Sequence, residues 1–415
     1  MRRVRRRVRT GKEPGLPDRV AIGVLVAAYP PDLVDAAIDA CEARELRRRA
    51  LPAQLVAYYT MAMTLCFDLG YGEVWNTLLA GLSLSPASQP RQDARMRPSA
   101  AAISKARARL GWRPLAELLS MAMAQNGREP APRAYWRNLR KLTISGLAMK
   151  VPASRANGAA FGSEREGGLP QVGMVALTET GSRALAGVHV GPAGEGEQAM
   201  ARRLWPLLRP GDVVVADRGF LSYANLDAVV RAGAHAIFRA DDDEDLPVLE
   251  PLPDGSHLSR ITDTSHDGEA APTTVYGGEA ARAAARGEGA APTTGQGIPV
   301  RVIDYHVTRK DTPADEHVRL VTTLLDREAY PLEEFPARLA ERCELASAIG
   351  ELEARLHDGP GVLLRSKSPD MVRQEVYALL CVYQAVRHLV TASAENEAMD
   401  MGRITFTRTP APAAS

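Results

Sequence analysis

The chain has 415 residues, of which 45% are apolar and 24% charged, and a formal net charge of +1. That length and balance fit two or three domains with real cores and exclude a generally disordered chain. A near-neutral total means that any attraction to nucleic acid has to come from local basic clusters. Four well-separated cysteines (Cys41, Cys66, Cys343, Cys381), without a C-x-x-C, and eight scattered histidines argue against a disulfide framework or a zinc site and suit a reducing compartment.

Residues 1–15 carry Arg2, Arg3, Arg5, Arg6, Arg7, Arg9 and Lys12 and read as a disordered basic arm. Such an arm is either a solvated tail or a segment that lies along a phosphate backbone. No apolar signal-peptide core follows it, and the apolar run 55–67 is too short to span a bilayer, so a soluble cytoplasmic protein with no membrane partner is expected. Residues 16–130 read as helical. Asp32 caps a helix to about residue 43, Pro52 opens a second, almost wholly apolar one to about 68, and a third includes Val74, Trp75, Leu78 and Leu79. After a polar loop over 84–98, Ser99 caps a helix 100–110 bearing Lys105, Arg107 and Arg109. Gly111 ends it and Pro114 starts another through Met123. This pair is either a helix-turn-helix element or an ordinary αα-hairpin with a solvated basic face.

From Trp136 onward the pattern turns strand-like. Residues 142–151 alternate, 172–179 and 183–190 form a hairpin around 180–182, and a helix covers 199–208. Next come a β-branched strand 213–217 bounded by Gly211, a helix 223–232 and a strand 235–239. Asp217 therefore stands at the C-terminal end of a buried strand, where open α/β sheets place their chemistry, although Asp-Arg-Gly also reads as a simple turn. Residues 262–298, in which Ala-Ala-Pro-Thr-Thr occurs at 270–274 and 290–294, are a flexible insertion without enough apolar surface to order itself. Strands at 300–307 and 319–325 follow, then helices 336–356 and 369–391, with a tail over 392–415. The fold class is α/β: a helical N-terminal part (16–130), then a mixed-sheet part (136–391) with an insertion, a class of which a ribonuclease H-like core is one member.

Several blocks, in this order, resemble the DDE transposases of the insertion-element-4 type. They are Leu51-Pro52-Ala53 with 70–75 (GYGEVW); Val151-Pro152 with 156–162 (ANGAAFG); 194–203 (GEGEQAMARR); 215–220 (VADRGF); 320–325 (LVTTLL); and 364–369 (LRSKSP) with 372–375 (VRQE). The resemblance implies a helical N-terminal DNA-binding domain and a ribonuclease H-like catalytic domain in which two Asp and one Glu hold two divalent cations, Mg²⁺ by expectation, for phosphoryl transfer on DNA. It also implies terminal inverted repeats in double-stranded DNA as partner, a homodimer on that DNA, and a bacterial, nucleoid-associated location.

Transferred residue by residue, the family's second Asp is Asp217, while its first falls on Ser145, before Gly146. The family's Y-x2-R-x3-E-x6-K helix signature maps onto Leu339, Arg342, Ala346 and Glu353, so its Glu falls on Ala346 and only its Arg remains. Positions 342, 346, 349 and 353 share one helical face, whereas Glu344 points about 200° away from that of Ala346. Cys343 replaces a usual Trp, and the acidic run 241–245 stands where basic residues would face DNA. A DNA-facing set of Lys105, Arg107, Arg109, Arg218, Arg342, Arg365, Lys367 and Arg373 is expected. With Asp217 as the remaining family ligand, the site reads as incomplete and the chain as impaired in strand cleavage. Competing readings are a non-catalytic DNA-binding derivative (repressor, architectural factor or inhibitor) and a decayed element.

Overall fold

The computed structural model describes residues 16–47, 49–66, 69–82, 97–126, 134–163, 168–263, 297–308, 315–341 and 364–397. Its first part is helical, as the spacing predicts: Leu16–Ala28 (α1), Pro31–Ala40 (α2), Ala53–Leu65 (α3), Tyr71–Leu82 (α4), Ala100–Leu110 (α5) and Arg113–Asn126 (α6). α1 precedes the first helix expected from spacing; most of its length is apolar, so it offers little 3.6-residue alternation to read. The boundaries of α5 are chemical. Ser99 Oγ accepts the Ala102 N–H at 3.2 Å, and Gly111 ends the helix at φ +69°, a conformation that glycine adopts without penalty.

The second part is a sheet with flanking helices: Tyr135–Trp136 (β1), Leu139–Lys150 (β2), Arg155–Phe161 (α7), Gln171–Glu179 (β3), Leu185–Pro192 (β4), Glu197–Ala201 (α8), Asp212–Ala216 (β5), Tyr223–Arg231 (α9), His235–Ala240 (β6), Glu250–Pro251 (β7), His257–Ile261 (β8), Ile298–Thr308 (β9), Asp315–Thr322 (β10), Phe335–Ala340 (α10) and Pro369–Glu397 (α11). The strand order is β4-β3-β2-β5-β6-β10-β9-β8-β7, with β1 on β2. β2 runs parallel to β5 and β5 to β6, which gives the mixed sheet of a ribonuclease H-like domain; β10-β9-β8-β7 extend it antiparallel.

Several sequence expectations need correction or fall outside the described residues. The single helix expected over 199–208 is instead α8 followed by a 3-10 turn, Trp205–Leu207; Pro206 has no N–H to donate, and its ring crowds the carbonyl four residues back. β5 stops at Ala216, so Asp217 caps a 3-10 turn (Arg218–Phe220) rather than ending the strand. β1 and β7, of two residues each, are too short for a period-2 signal. The arm 1–15, most of the 84–98 loop, most of the 262–298 insertion, residues 342–356 of the expected helix and the tail beyond 397 lie outside the described residues.

α11 joins the two parts. Its Leu379, Leu380, Val382 and Tyr383 share one apolar core with residues of α1 to α6 and with Met149, Val172, Met174 and Leu185 of the sheet. Tyr29 Oη donates to the Cys381 carbonyl at 2.7 Å. Farther along the helix, Arg387 donates Nε and Nη2 to the Ser182 carbonyl, each at 3.0 Å, and Tyr383 Oη donates to the Arg183 carbonyl at 2.6 Å. The helical part is thus built on the same helix that clamps the β3–β4 turn.

Close packing of α1 on α4 gives a first prediction. A Cβ on Gly81 would lie 2.4 Å from Ile22 Cβ, a branch point that cannot swing aside. Helix propensity alone would make Gly81→Ala stabilising by about 1 kcal/mol, whereas overpacking costs about 1–3 kcal/mol. Gly81→Ala is therefore expected to lower the urea midpoint, and a raised midpoint would contradict this packing.

Candidate active site

The site grows from the parallel pairing of β2 with β5. The last paired positions are Thr143 and Val215; two residues further on each strand come Ser145 and Asp217. Side chains alternate faces along a strand, so Ser145 shares a face of β2 with Thr143 and Lys141, and Asp217 follows Val213 and Val215. That register sets Ser145 and Asp217, onto which the sequence reading maps the family's first and second Asp, just past the last paired positions of neighbouring strands. Both are half-buried. Asp217 Oδ1 accepts the Arg218 N–H at 2.9 Å, which orients the carboxylate at the start of the 3-10 turn. Ala346 lies outside the described residues. The chain reaches that segment from Glu341, whose carboxylate accepts a hydrogen bond from Lys141 Nζ on the Ser145 face of β2.

A residue to which the sequence reading gave no role also belongs here. Glu197, the first residue of α8, reaches over Gly146. A Cβ on that glycine would stand 2.1 Å from Glu197 Oε1 and 2.4 Å from its Cδ. Met200 and Ala201 anchor α8 in the core formed with Leu142, Ile144, Val214 and Ala216. Glu197 therefore approaches the strand ends from the face opposite Ser145. Although its outer side is open to solvent, partial burial, and after it the negative charge of Asp217, holds the Glu197 carboxyl above the usual carboxylate range. Its signal in the sequence was the block 194–203, which carries the family resemblance without an assigned function.

The expected DNA-facing residues divide in two. Arg107 is corrected outright: it is fully buried, donating Nε to Gln374 Oε1 at 2.9 Å and Nη2 to Ser366 Oγ and Glu375 Oε1 at 3.3 and 3.4 Å. Arg365 donates Nη1 and Nη2 to the Leu69 and Cys66 carbonyls at 3.0 and 3.1 Å, holding the chain that leaves α3. Arg109 is tied to Glu45 at 3.2 Å and to the Leu51 carbonyl at 2.7 Å. Arg373 lies over the Phe161 ring and pairs with Asp370. Lys105 and Lys367 are exposed, as is Arg218, which pairs with Asp241 at 2.7 Å. The start of the acidic run is thus engaged: Asp241 by Arg218, and Asp242 by His317 at 2.8 Å, which holds the Asp242 carboxyl below its ordinary range. Arg342 lies outside the described residues.

α6, the second helix of the αα pair, packs between α2, α11 and β4, leaving Arg113, Ser120 and Ala124 exposed. That is the burial of a core hairpin, not of a helix held out to a groove. Two blocks far apart in sequence also meet: Asn157 Nδ2 donates to the Pro152 and Ser366 carbonyls at 3.0 and 3.1 Å, and Ser154 Oγ donates to the Lys367 carbonyl.

A two-cation phosphoryl-transfer centre needs several carboxylates to offset the metal charge. No group of three or more His, Cys, Asp or Glu fit to hold a metal occurs among the described residues. Asp217 and the neutral Ser145 hydroxyl, with Glu197 reaching over Gly146 from the opposite face of β2, do not fit two divalent ions.

Residues 19–120 match the family model described as insertion element 4 transposase N-terminal, and residues 148–384 match the transposase DDE domain. Transposase InsG for insertion sequence element IS4 of Escherichia coli (strain K12) is 24% identical over 372 residues, covering 88% of this chain and 76% of the relative. Among solved structures, the cryo-EM piggyBac transposase synaptic complex with hairpin DNA aligns with a TM-score of 0.45 at 8% identity, over 93% of this chain and 79% of that one. No helix among the described residues is long and apolar enough to cross a membrane.

Proposed function

The chain belongs to the DDE transposases of the insertion-element-4 type, and from that premise we propose that it is an insertion-sequence transposase with impaired strand cleavage and transfer. The observation that carries the reading is Ser145. It lies on β2 two residues past the last position paired with β5, as Asp217 lies just past the end of β5; in our reading it occupies the position of the family's first Asp, and a hydroxyl supplies no negative charge. The sequence places Ala346 at the family's Glu, which removes a second. The family uses divalent cations, Mg²⁺ in our reading; such an ion, when bound, would activate a water or 3′-hydroxyl and stabilise the leaving oxygen. Of the residues present, Asp217 offers a negative ligand and Ser145 only a neutral oxygen.

DNA binding outlasts such a loss because phosphate contacts give affinity without chemistry. In this reading the chain binds the terminal inverted repeats of its element as a homodimer, with Lys105 and Lys367 among the phosphate-facing residues. Lys105→Ala and Lys367→Ala are each expected to reduce the salt slope of a gel shift on those ends by roughly 1, with little change in sequence preference. An unchanged slope would remove that lysine from the interface.

Incubation of the chain with plasmids carrying the element's ends and Mg²⁺ or Mn²⁺ tests the impairment. No cleavage above background is expected, and robust nicking would refute it.

A further inference from the structure

We propose that the start of α11, with the turns packed against it, forms a surface for single-stranded DNA: phosphates on Arg155, Lys367 and Arg373, and an unpaired base on the Trp112 ring. This surface rests on the transposase reading and specifies a form of DNA for it, while lying outside the carboxylate site. Three stretches far apart in the chain build it. Ser154 Oγ donates to the Lys367 carbonyl at 2.6 Å and Asn157 Nδ2 to the Ser366 carbonyl at 3.1 Å, which joins α7 to the chain entering α11. Gln374 Nε2 donates to the Gly111 carbonyl, which brings in the α5–α6 turn. Arg107 and Glu375 hold the Ser366 hydroxyl from the buried side. The backbone of the surface is therefore fixed before any partner arrives, and such preorganisation lowers the cost of binding.

Its cations are available. Arg155 and Lys367 are exposed, and no described residue engages either side chain; Arg373, between the Phe161 ring and Asp370, keeps 28% of its side chain exposed. The aromatic ring decides the form of DNA. Trp75, Trp136 and Trp205 belong to the apolar cores, whereas Trp112, the fourth tryptophan, belongs to none of them. Trp112 stacks on Tyr377, with ring centroids 5.5 Å apart and 12° between planes, and Tyr377 follows Arg373 by four residues on one face of α11. Stacking covers one face of the indole, yet the residue is only partly buried, so its other face and edges hold the remaining exposure. A duplex hides the faces of its bases, while a single strand offers them to an aromatic ring set among cations. β2 runs from Ser145 to Lys150, about 17 Å by strand rise, and Ser154 follows soon after, so DNA held here starts about one strand's length from the candidate site.

The test titrates the full chain with oligo(dT) at several salt concentrations, reading tryptophan emission, with circular dichroism to verify each variant's fold. Saturable quenching is expected. Trp112→Leu should abolish the quenching and weaken affinity at least about fivefold, the lower end for loss of one base stack, and Trp112→Phe, which keeps a ring, should bind more tightly than Trp112→Leu. Arg155→Ala and Lys367→Ala should each lower the salt slope by about 0.7; Arg231→Ala, at an arginine paired with Asp227 on α9, should leave it unchanged. Absence of oligo(dT) binding, unchanged affinity in folded Trp112→Leu, or unchanged slopes in both Arg155→Ala and Lys367→Ala would each overturn the surface. A gel shift on duplex ends without oligo(dT) binding removes this surface alone. Failure of the unaltered chain to shift those ends instead removes the end-binding reading, whatever oligo(dT) gives.

Discussion

Arg107→Ala is expected to destabilise the folded chain by about 3–5 kcal/mol, the cost of removing one partner of a buried ion pair. Arg107 is wholly inaccessible and Glu375 nearly so, at 0% and 4% side-chain exposure. Glu375 would keep its hydrogen bonds from Ser366 Oγ at 2.8 Å and from the Arg365 N–H at 2.7 Å, but its charge would stay buried without a countercharge. Gln374 would lose the Arg107 Nε donor, although its Nε2 still donates to the carbonyls of Arg107 and Gly111. The damage falls where α5 meets α11, so it loosens the helical part from the helix that also clamps the sheet. In a domain of this size, about 3–5 kcal/mol corresponds to a fall in melting temperature of roughly 6–20 °C.

The paired control is Arg107→Met with Glu375→Gln, which removes both charges at once. It is expected to recover much of the loss, because an apolar replacement of a buried pair is often close to neutral. A melting temperature unchanged by Arg107→Ala would show that this network does not hold the junction. If Arg107 instead served DNA, Arg107→Met would reduce the salt slope of binding while leaving the melting temperature alone; the expected result is the opposite.

Arg107 also marks how far the sequence could be read. Its burial was legible in the spacing: it follows Ile103 by four residues and precedes Leu110 by three, and so lies on the apolar face. Charge type, weighed ahead of period, moved it to the solvent side. The boundaries of α5 and the strand before Asp217 were readable because local chemistry sets them: Ser99 caps the helix, positive-φ Gly111 ends it, and β-branched residues fill the strand. Glu197 was not readable in this way. Its meaning depends on α8 docking over Gly146, a contact between residues 51 positions apart that no local period records. The broken helix at Pro206 shifted the expected start of α8 past Glu197. The companionship of Ser145 and Asp217 came from the family's order and is supported independently by the parallel β2–β5 register.

Ser145→Asp combined with Ala346→Glu is expected to raise strand cleavage by at least about 100-fold over the unaltered chain, since loss of outer-shell partners alone changes metal affinity or activity by about 10–100-fold and these are direct ligands. The two changes restore the carboxylates that the family pattern requires around Asp217. The first has a signature of its own. With Asp at 145, a second negative charge joins Asp217, and without a cation the like charges repel. Ser145→Asp alone is therefore expected to lower the melting temperature in chelator. Divalent ion should then raise it by more than in the unaltered chain, because a ligand that binds only the folded state stabilises it in proportion to its affinity. Mn²⁺ affinity should rise at least about tenfold in the same variant. If Ser145→Asp neither tightens Mn²⁺ binding nor makes stability more dependent on the ion, residue 145 does not face the cation. The proposed impairment would then have to be sought at Ala346 alone.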